Sequence, residues 1–203
     1  MTGIVDYGMG NLGSVKRKLD LIGERAIISG KSAELVDCDH IILPGVGHFQ
    51  KAIDELQKRD LWDFLNHEIL VKRKPILGIC LGMQLLAAHS EEGDAPGLAW
   101  IDANVVRFRI SDHIIYKVPH IGWNHVEIRK DSKLFRNVRL DAGFYFVHSY
   151  HMVCTDQSDI LCVTGYEYSF VSAVEKENIM GVQFHPEKSH EPGDQILRNF
   201  LSL

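Results

Sequence analysis

Short apolar runs alternate with longer amphipathic segments over the first eighty residues of the chain. The runs have the length of buried strands, and the segment 11–22 repeats apolar residues every three or four positions, as one face of a helix does. The pattern predicts strands at 3–6, 26–29, 40–43 and 75–79, and helices at 11–22, 32–35, within 49–70 and at 83–89. This alternation is typical of a parallel sheet with helices on both faces. Right-handed crossovers then place the carboxyl ends of the strands along one edge of the sheet.

The pattern changes after residue 90, where the apolar stretches become shorter and are separated by turn residues. Short strands are predicted at 97–109, 122–128, 144–147, 161–166 and 172–174, followed by a strand at 179–184 and a closing helix at 194–203. These features favour antiparallel strands appended to the parallel core. Since the 203 residues contain no repeat, linker or low-complexity tract, we expect one α/β domain over residues 1–203.

Composition and charge argue against several classes of protein. Hydrophobic residues make up 45% of the chain and charged residues 24%, as in an ordinary globular protein. The formal net charge of −5 gives no basic surface for nucleic acid, and no apolar run approaches the roughly 20 residues that span a membrane. No signal peptide is visible, and four scattered cysteines without a CxxC pair favour a reducing cytoplasm over disulfides or structural zinc. We expect no metal, nucleic-acid or membrane partner.

One glycine-rich stretch after the first strand fits a dinucleotide-binding fingerprint. Residues 8–13 read Gly-Met-Gly-Asn-Leu-Gly, follow a predicted strand and open a predicted helix. The second strand, however, ends at Ser29 and Gly30 without the acidic residue that would hold a ribose hydroxyl. We therefore interpret the stretch as a glycine-rich turn and expect no cofactor.

A single cysteine stands between two glycines where the fourth predicted strand meets the next helix. Cys80 has Gly78 and Gly82 two residues away on either side, and glycines at these places allow a strained turn with close backbone approach. The same arrangement with serine is the nucleophile elbow of hydrolases. The start of a helix also favours the thiolate. Cys80 is therefore a candidate nucleophile; the alternative is a buried cysteine that only packs.

A base for this cysteine is predicted at the end of the strand 179–184. His185 follows the strand, Pro186 stops it, and Glu187 lies two residues beyond His185, so in extended backbone both side chains point to the same side. Glu187 would then hold one ring nitrogen of His185 while the other nitrogen serves Cys80. The predicted catalytic set is therefore Cys80, His185 and Glu187.

The negative charge that develops during attack on a carbonyl needs hydrogen-bond donors, and two backbone segments at the same edge of the sheet offer them. One is the amide of Leu81, directly after the cysteine. The other is the segment 44–47, Pro-Gly-Val-Gly, whose glycines let an amide turn inward. The sequence therefore predicts an oxyanion hole formed by the amides of Val46, Gly47 and Leu81.

Together these motifs resemble those of the class I glutamine amidotransferases. The resemblance rests first on Gly-Ile-Cys-Leu-Gly-Met-Gln at 78–84 and Phe-His-Pro-Glu at 184–187. It extends over the whole chain through residues 6–12, 44–47, 119–124 and 145–150. Within this family the chain is most similar to the glutaminase subunits of histidine biosynthesis. The resemblance implies the family's fold, a mostly parallel central sheet with flanking helices and an appended antiparallel β portion.

The resemblance also implies a reaction and its residues. Cys80 would attack the side-chain carboxamide of glutamine, His185 would act as acid and then as base, and Glu187 would orient the imidazole. The positions that match those binding the substrate glutamine are Gln84, Ser149 and Tyr150.

A partner is implied in the same way. In this branch of the family, ammonia passes to a separate (β/α)8 synthase subunit that makes imidazole glycerol phosphate and AICAR, and the two subunits form a heterodimer. The positions that match the family's subunit interface are Gly10, Trp123, Asn124 and Lys188.

Two departures from the usual family pattern leave the ammonia acceptor open. His151 stands where another tyrosine or a small residue is more usual, and His190 replaces a small residue. Both resemble a paralogous branch that feeds ammonia to a sugar-modifying synthetase in surface-polysaccharide pathways. The alternatives outside the family are a stand-alone cysteine hydrolase or protease and a dinucleotide-binding module without catalysis.

Overall fold

Most strands of the chain belong to one twelve-stranded sheet in the computed structural model, which describes residues 1–203. The strands are β1 Thr2–Val5, β2 Ala26–Ser29, β3 His40–Gly45, β4 Ile76–Cys80, β5 Ala87–Ser90, β6 Ala95–Pro96, β7 Ile101–Arg107, β8 His120–His125, β9 Glu127–Ile128, β10 Gly143–His148, β11 Tyr150–Cys154, β12 Ile160–Gly165, β13 Ser169–Lys176 and β14 Ile179–Val182. Their order in the sheet is β2-β1-β3-β4-β14-β13-β11-β7-β5-β6, with β12 paired to β13 and β9. β8 and β10 form a separate antiparallel ribbon.

The five strands β2, β1, β3, β4 and β14 are parallel, as the alternation of elements predicted. β4 lies between β3 and β14, so Cys80 pairs with Gly45 on one side and Ile79 pairs with Val182 on the other. The segments that follow Gly45, Cys80 and Val182 therefore leave the sheet side by side at its carboxyl edge.

Helices cover both faces of the parallel strands. They are α1 Leu12–Leu21, α2 Ser32–Leu35, α3 Phe49–Lys58, α4 Leu61–Asn66, α5 Leu81–Gln84 and α6 His190–Leu201, and a π-helical turn His67–Val71 follows α4. Ile41 and Leu43 of β3 share one core with α3 and α4, whereas Ile42 shares the opposite core with α1 and α6. Successive residues of a strand point to opposite faces, so the strand is apolar throughout. The predicted fold class is confirmed.

The predicted helix at 83–89 is wrong beyond Gln84. The chain turns and forms β5, which pairs in parallel with β7. The amide of Leu98 donates to the carbonyl of Leu85 at 2.8 Å, and that of Ile101 donates to the carbonyl of Leu86 at 3.0 Å. These carbonyls are the acceptors that a longer helix would need. Long-range backbone pairing therefore overrides the local helix propensity of leucine and alanine.

Two further differences concern the second half of the chain. The pattern does not predict β11, which follows β10 after the single residue Ser149. α6 begins at His190, earlier than predicted. Pro192 lies in the first turn, where a backbone N–H has no acceptor within the helix, so the proline does not prevent the helix from including it. The antiparallel strands are continuous with the parallel ones, since β13 pairs directly with β14.

No helix combines the length and the apolar character needed to cross a membrane. No group of three or more His, Cys, Asp or Glu side chains is assembled in the way that a metal ion requires.

Candidate active site

Cys80 ends β4 with backbone angles that few side chains adopt. Its φ of 55° and ψ of −110° lie outside the regions open to most residues, and such a conformation costs on the order of 1–3 kcal/mol. A Cβ on Gly82 would overlap the carbonyl oxygen of Leu43, and one on Gly78 would lie 2.6 Å from the carbonyl oxygen of Gly82. The sharp strand-to-helix turn predicted from the two glycines is therefore present, and both glycines are needed for it.

His185 and Glu187 meet through a turn. The extended backbone predicted for these residues is wrong, because Pro186–Lys188 form a 3-10 turn. The turn brings Oε1 of Glu187 to 2.8 Å from Nδ1 of His185, so the predicted pairing is present. Ser189 fixes the turn, since its hydroxyl donates to the carbonyl of His185 at 2.6 Å and accepts from the amide of Tyr145 at 3.0 Å.

Two opposing influences set the pKa of His185. Burial would lower this pKa, because desolvation disfavours the imidazolium. Hydrogen bonding and charge from the Cys80 thiolate and the Glu187 carboxylate outweigh burial and raise the pKa to about 9. Nε2 of His185 is buried without a hydrogen bond of ordinary geometry, so its approach to the sulfur is looser than the contact of Nδ1 with Glu187. The raised pKa keeps the imidazole of His185 protonated at neutral pH.

A cleft of about 250 Å³ opens in front of the sulfur of Cys80. Its size lies just below the range of about 300–1,000 Å³ typical of small-molecule sites, as suits a small substrate. The cleft is lined by all the residues predicted for the oxyanion hole and for the substrate: Val46, Gly47, Leu81, Gln84, Ser149 and Tyr150. His185 and Glu187 do not line it. Substrate would therefore reach the sulfur of Cys80 from the cleft.

The side-chain amides of Gln84 and Gln183 form a hydrogen-bonded pair beside the cleft, and the sequence did not predict this pairing. Nε2 of Gln84 donates to Oε1 of Gln183 and to the carbonyl of Tyr150, both at 3.0 Å. Nε2 of Gln183 lies 3.7 Å from Sγ of Cys80. Gln183 is fully buried. The signal that the sequence offered is a glutamine inside the predicted apolar strand 179–184; in the structure it directly follows β14.

The other three cysteines differ from Cys80 in their surroundings. Burial raises the pKa of Cys38, and it raises that of Cys154 to about 12. Burial also raises the pKa of Cys162 far above its ordinary range. None of these three lines the cleft. Cys80 is thus the one cysteine at an accessible cleft with an imidazole beside it.

His148 also lines the cleft, but both of its ring nitrogens are occupied. Nδ1 lies 2.8 Å from the carbonyl of Tyr150, and Nε2 lies 3.0 Å from Nδ1 of His120. Burial lowers the pKa of His148 to about 3 and that of His120 to about 4. The pair is therefore neutral and structural, so His185 remains the candidate base of this site.

The residues predicted for the partner interface lie at two places, one of which adjoins the cleft. Gly10 and Lys188 line a groove that also contains Val46 and Gly47, so this groove and the cleft share one backbone segment. Trp123 is 52% exposed on β8. The side chain of Asn124 is turned inward and donates to the carbonyl of Gly165 at 2.9 Å.

The two unusual histidines occupy different environments. His190 stacks on Trp123, with ring centroids 5.1 Å apart and planes 7° from parallel. His151 is buried, contacts the hydroxyl of Tyr168 through Nε2 at 3.1 Å and packs on Phe108. His151 therefore belongs to the core, and neither histidine contacts the cleft.

A cysteine on a strained elbow at a cleft, with a His–Glu pair nearby, is the arrangement found in cysteine-dependent hydrolases and acyl-transfer enzymes. The model of the family described as glutamine amidotransferase class-I matches residues 4–203. The chain belongs to the class I glutamine amidotransferase family.

Curated relatives match over the full length of the chain. It is 46% identical over 201 residues to imidazole glycerol phosphate synthase subunit HisH 2 of Methanococcus maripaludis, which covers 99% of this chain and 98% of that protein. It is 43% identical over 204 residues to imidazole glycerol phosphate synthase subunit HisH of Leptospira interrogans, with both chains fully covered.

Solved structures agree on the fold. A structure described as a glutamine amidotransferase superimposes with a TM-score of 0.74 at 18% identity, covering 99% of this chain and 97% of that one. A glutamine amidotransferase from Thermotoga maritima gives a TM-score of 0.66 at 19% identity, covering 99% and 95%.

Proposed function

We propose that the chain hydrolyses glutamine to glutamate and ammonia through Cys80, His185 and Glu187. The observation that carries the proposal is the strained Cys80 at the cleft with the buried His185–Glu187 pair beside it. The Cys80 thiolate attacks the carboxamide carbon of glutamine, and the imidazolium of His185 gives its proton to the departing ammonia. Neutral His185 then takes a proton from water, and the resulting hydroxide attacks the thioester and expels the Cys80 thiolate. Glutamate leaves with its acid proton lost to solvent, and the thiolate and the imidazolium are restored.

The remaining cleft residues have supporting roles in this proposal. The amides of Leu81, Val46 and Gly47 stabilise the oxyanion, and each well-placed donor of this kind is worth about 10²–10³ in rate. Gln84 uses both N–H groups of its amide on carbonyls of the chain, and its Oε1 accepts no hydrogen bond from the protein. This oxygen is therefore available to an N–H group of the substrate, and Ser149 and Tyr150 line the same cleft.

The ammonia is passed to a partner cyclase subunit, with which the chain forms imidazole glycerol phosphate synthase in histidine biosynthesis. The relatives described above carry that enzyme's name, which favours the histidine pathway over the sugar-modifying alternative. We propose in addition that the partner is a (β/α)8 protein and that it docks on the side that carries Gly10, Trp123, Asn124 and Lys188. The proposal includes a cytoplasmic location, because all four cysteines are free, as suits a reducing compartment.

The direct test compares wild type with Cys80→Ala and Cys80→Ser, each mixed with the cyclase subunit. Both substitutions are expected to abolish glutamine hydrolysis while the complex still forms and the chain stays folded. A glutamine analogue that carries a leaving group should label Cys80 and leave Cys38, Cys154 and Cys162 unmodified. Substantial hydrolysis by Cys80→Ala would contradict the mechanism.

A further inference from the structure

The sulfur of Cys80 has two polar neighbours besides the imidazole of His185, and they differ in kind. The carbonyl oxygen of Val147 lies 3.8 Å away and can only accept a hydrogen bond, so it suits the neutral thiol. Nε2 of Gln183 lies 3.7 Å away and can only donate, so it suits the thiolate. When the proton leaves Cys80, the contact with Val147 loses its hydrogen bond and the contact with Gln183 becomes stronger.

The orientation of the Gln183 amide is fixed by its neighbour. Its Oε1 accepts from Nε2 of Gln84, which directs its own Nε2 toward the sulfur. Gln84 is held in turn by the carbonyl of Tyr150. Gln183 is 0% exposed and Gln84 is 4% exposed, so water does not compete for these hydrogen bonds. The amide nitrogen thus reaches the sulfur in a fixed orientation.

We infer that Gln183 is a positioning residue that holds the reactive thiolate of Cys80 and couples it to Gln84 in the substrate cleft. The inference rests on the proposed function, because it assumes that Cys80 is the nucleophile of glutamine hydrolysis. Gln183 lies outside the cleft lining, so its effect reaches the substrate through the sulfur and through Gln84. A hydrogen bond to a charged group of this kind corresponds to about a tenfold to a hundredfold effect on rate.

Two substitutions separate the roles of the amide. Gln183→Met keeps the length of the side chain and removes both polar atoms. Gln183→Glu keeps an oxygen for Gln84 but replaces the donor near the sulfur by an acceptor. If the proposal holds, both variants lose about tenfold or more in the rate of Cys80 alkylation by iodoacetamide at pH 7. Their alkylation profiles also move to higher pH, because the thiolate has lost a donor. The other titratable groups around the sulfur are unchanged in both variants: His185 and Tyr7, which interact with Cys80, and Glu92 and His148, which line the same cleft.

Asn199 provides a matched control, because it is another buried amide that donates to two backbone carbonyls, those of Leu134 and Arg136. Asn199→Leu should lower the thermal unfolding midpoint without moving the alkylation profile. If Gln183→Met does not fold, Gln183→Glu carries the comparison. A folded Gln183 variant with the wild-type alkylation rate and pH profile would overturn the inference.

The glutaminase assay keeps the two proposals apart. We expect both Gln183 variants to lose about tenfold or more in kcat for glutamine hydrolysis, measured in the complex with the cyclase subunit. A wild-type complex whose Cys80 is alkylated but which hydrolyses no glutamine would refute the proposed function. A wild-type complex that hydrolyses glutamine no faster than the Gln183 variants would refute only the role of Gln183.

Discussion

The Glu187 carboxylate is a buried charge with only one partner. Its side chain is 2% exposed, Oε1 contacts Nδ1 of His185, and Oε2 forms no hydrogen bond. A buried carboxylate in this state depends on the positive charge of His185, since removing one partner of a buried pair leaves an uncompensated charge. The contact with Cys80 and this pair together keep His185 protonated at neutral pH, which is the state that the proposed proton transfer to ammonia needs. Stability and proton transfer therefore rest on the same contact.

Glu187→Gln is expected to lower the pKa of His185, because it removes both the charge and the anionic acceptor at Nδ1. In the wild type, His185 keeps its proton until the pH rises through about 9. Glutamine hydrolysis should fall above that pH in the wild type and at a lower pH in the variant. Because the pKa of His185 is raised, its contribution to folding stability is complete below about pH 6.5, the ordinary histidine value, and is lost as pH rises through about 9.

The measurement is kcat/KM against pH for both enzymes. Glu167→Gln is the control, because Glu167 is a half-buried carboxylate whose hydrogen bonds are to Ser111 and Asp112. If kcat/KM falls at the same alkaline pH in Glu187→Gln as in the wild type, Glu187 does not set the proton affinity of His185.

His185→Ala should reduce the rate of glutamine hydrolysis by about 10²–10⁴, the usual contribution of a general acid–base catalyst.

At the level of elements, the site depends on how closely α5 approaches β3 and β4. Gly45 of β3 pairs with Cys80, and a Cβ on it would lie 2.9 Å from Cβ of Leu81 and overlap the hydroxyl of Tyr7. Tyr7 is fully buried and its hydroxyl forms no hydrogen bond. The close packing at this junction therefore leaves one buried polar group without a partner. The elbow therefore tolerates no added volume on its inner side.

Gly82→Ala is expected to destabilise the fold by about 2–4 kcal/mol or more and to abolish the reactivity of Cys80, because its Cβ would overlap the carbonyl of Leu43. Gly13→Ala is the matched control, since Gly13 lies within α1 and its Cβ would meet no atom within 4 Å. That substitution should stabilise the protein by about 0.4–1 kcal/mol. Urea unfolding and iodoacetamide labelling of both variants make the comparison, and a Gly82→Ala variant as stable as wild type would contradict the packing argument.

Sequence pattern predicted those parts of the molecule whose local and long-range preferences agree. The inner strands of the parallel half, β1, β3, β4 and β14, are apolar runs that are buried on both faces, and the elbow is marked by glycines, so both could be predicted. β5 could not, because Ala87 and Ala88 favour a helix locally and only the distant β7 makes the segment a strand. Gln183 was missed because a single polar residue in an apolar strand gives no sign of the group that its amide meets.

At the scale of the whole molecule, one backbone segment connects the predicted partner side to the cleft. Val46 and Gly47 line both the cleft at Cys80 and the groove that contains Gly10 and Lys188. Val46 is 50% exposed, and Gly47 has a φ of 126°, a conformation that glycine adopts easily and that other residues avoid. A Cβ on Gly10 would lie 3.5 Å from the carbonyl oxygen of Pro44, so the first loop rests against the start of this segment. A partner in the groove would therefore contact the backbone that faces the substrate.

We expect this segment to have two arrangements of similar energy, one that turns an amide toward the oxyanion site and one that turns a carbonyl there. The second arrangement removes a donor from the transition state, so the isolated chain should hydrolyse glutamine slowly. Docking of the cyclase subunit, together with its acceptor substrate, should favour the competent arrangement and raise kcat by orders of magnitude, with a smaller effect on KM.

The test measures glutamine hydrolysis for the chain alone, with the partner, and with the partner and its acceptor. Lys188→Ala, which alters the groove, should weaken the activation, whereas Lys72→Ala, an exposed lysine far from it, should leave the activation unchanged. Alkylation of Cys80 by iodoacetamide needs no oxyanion donor, so its rate should be similar in the free chain and in Lys188→Ala. An isolated chain that already hydrolyses glutamine at the rate of the complex would refute the switch in residues 44–47 and leave the roles of Cys80, His185 and Glu187 intact.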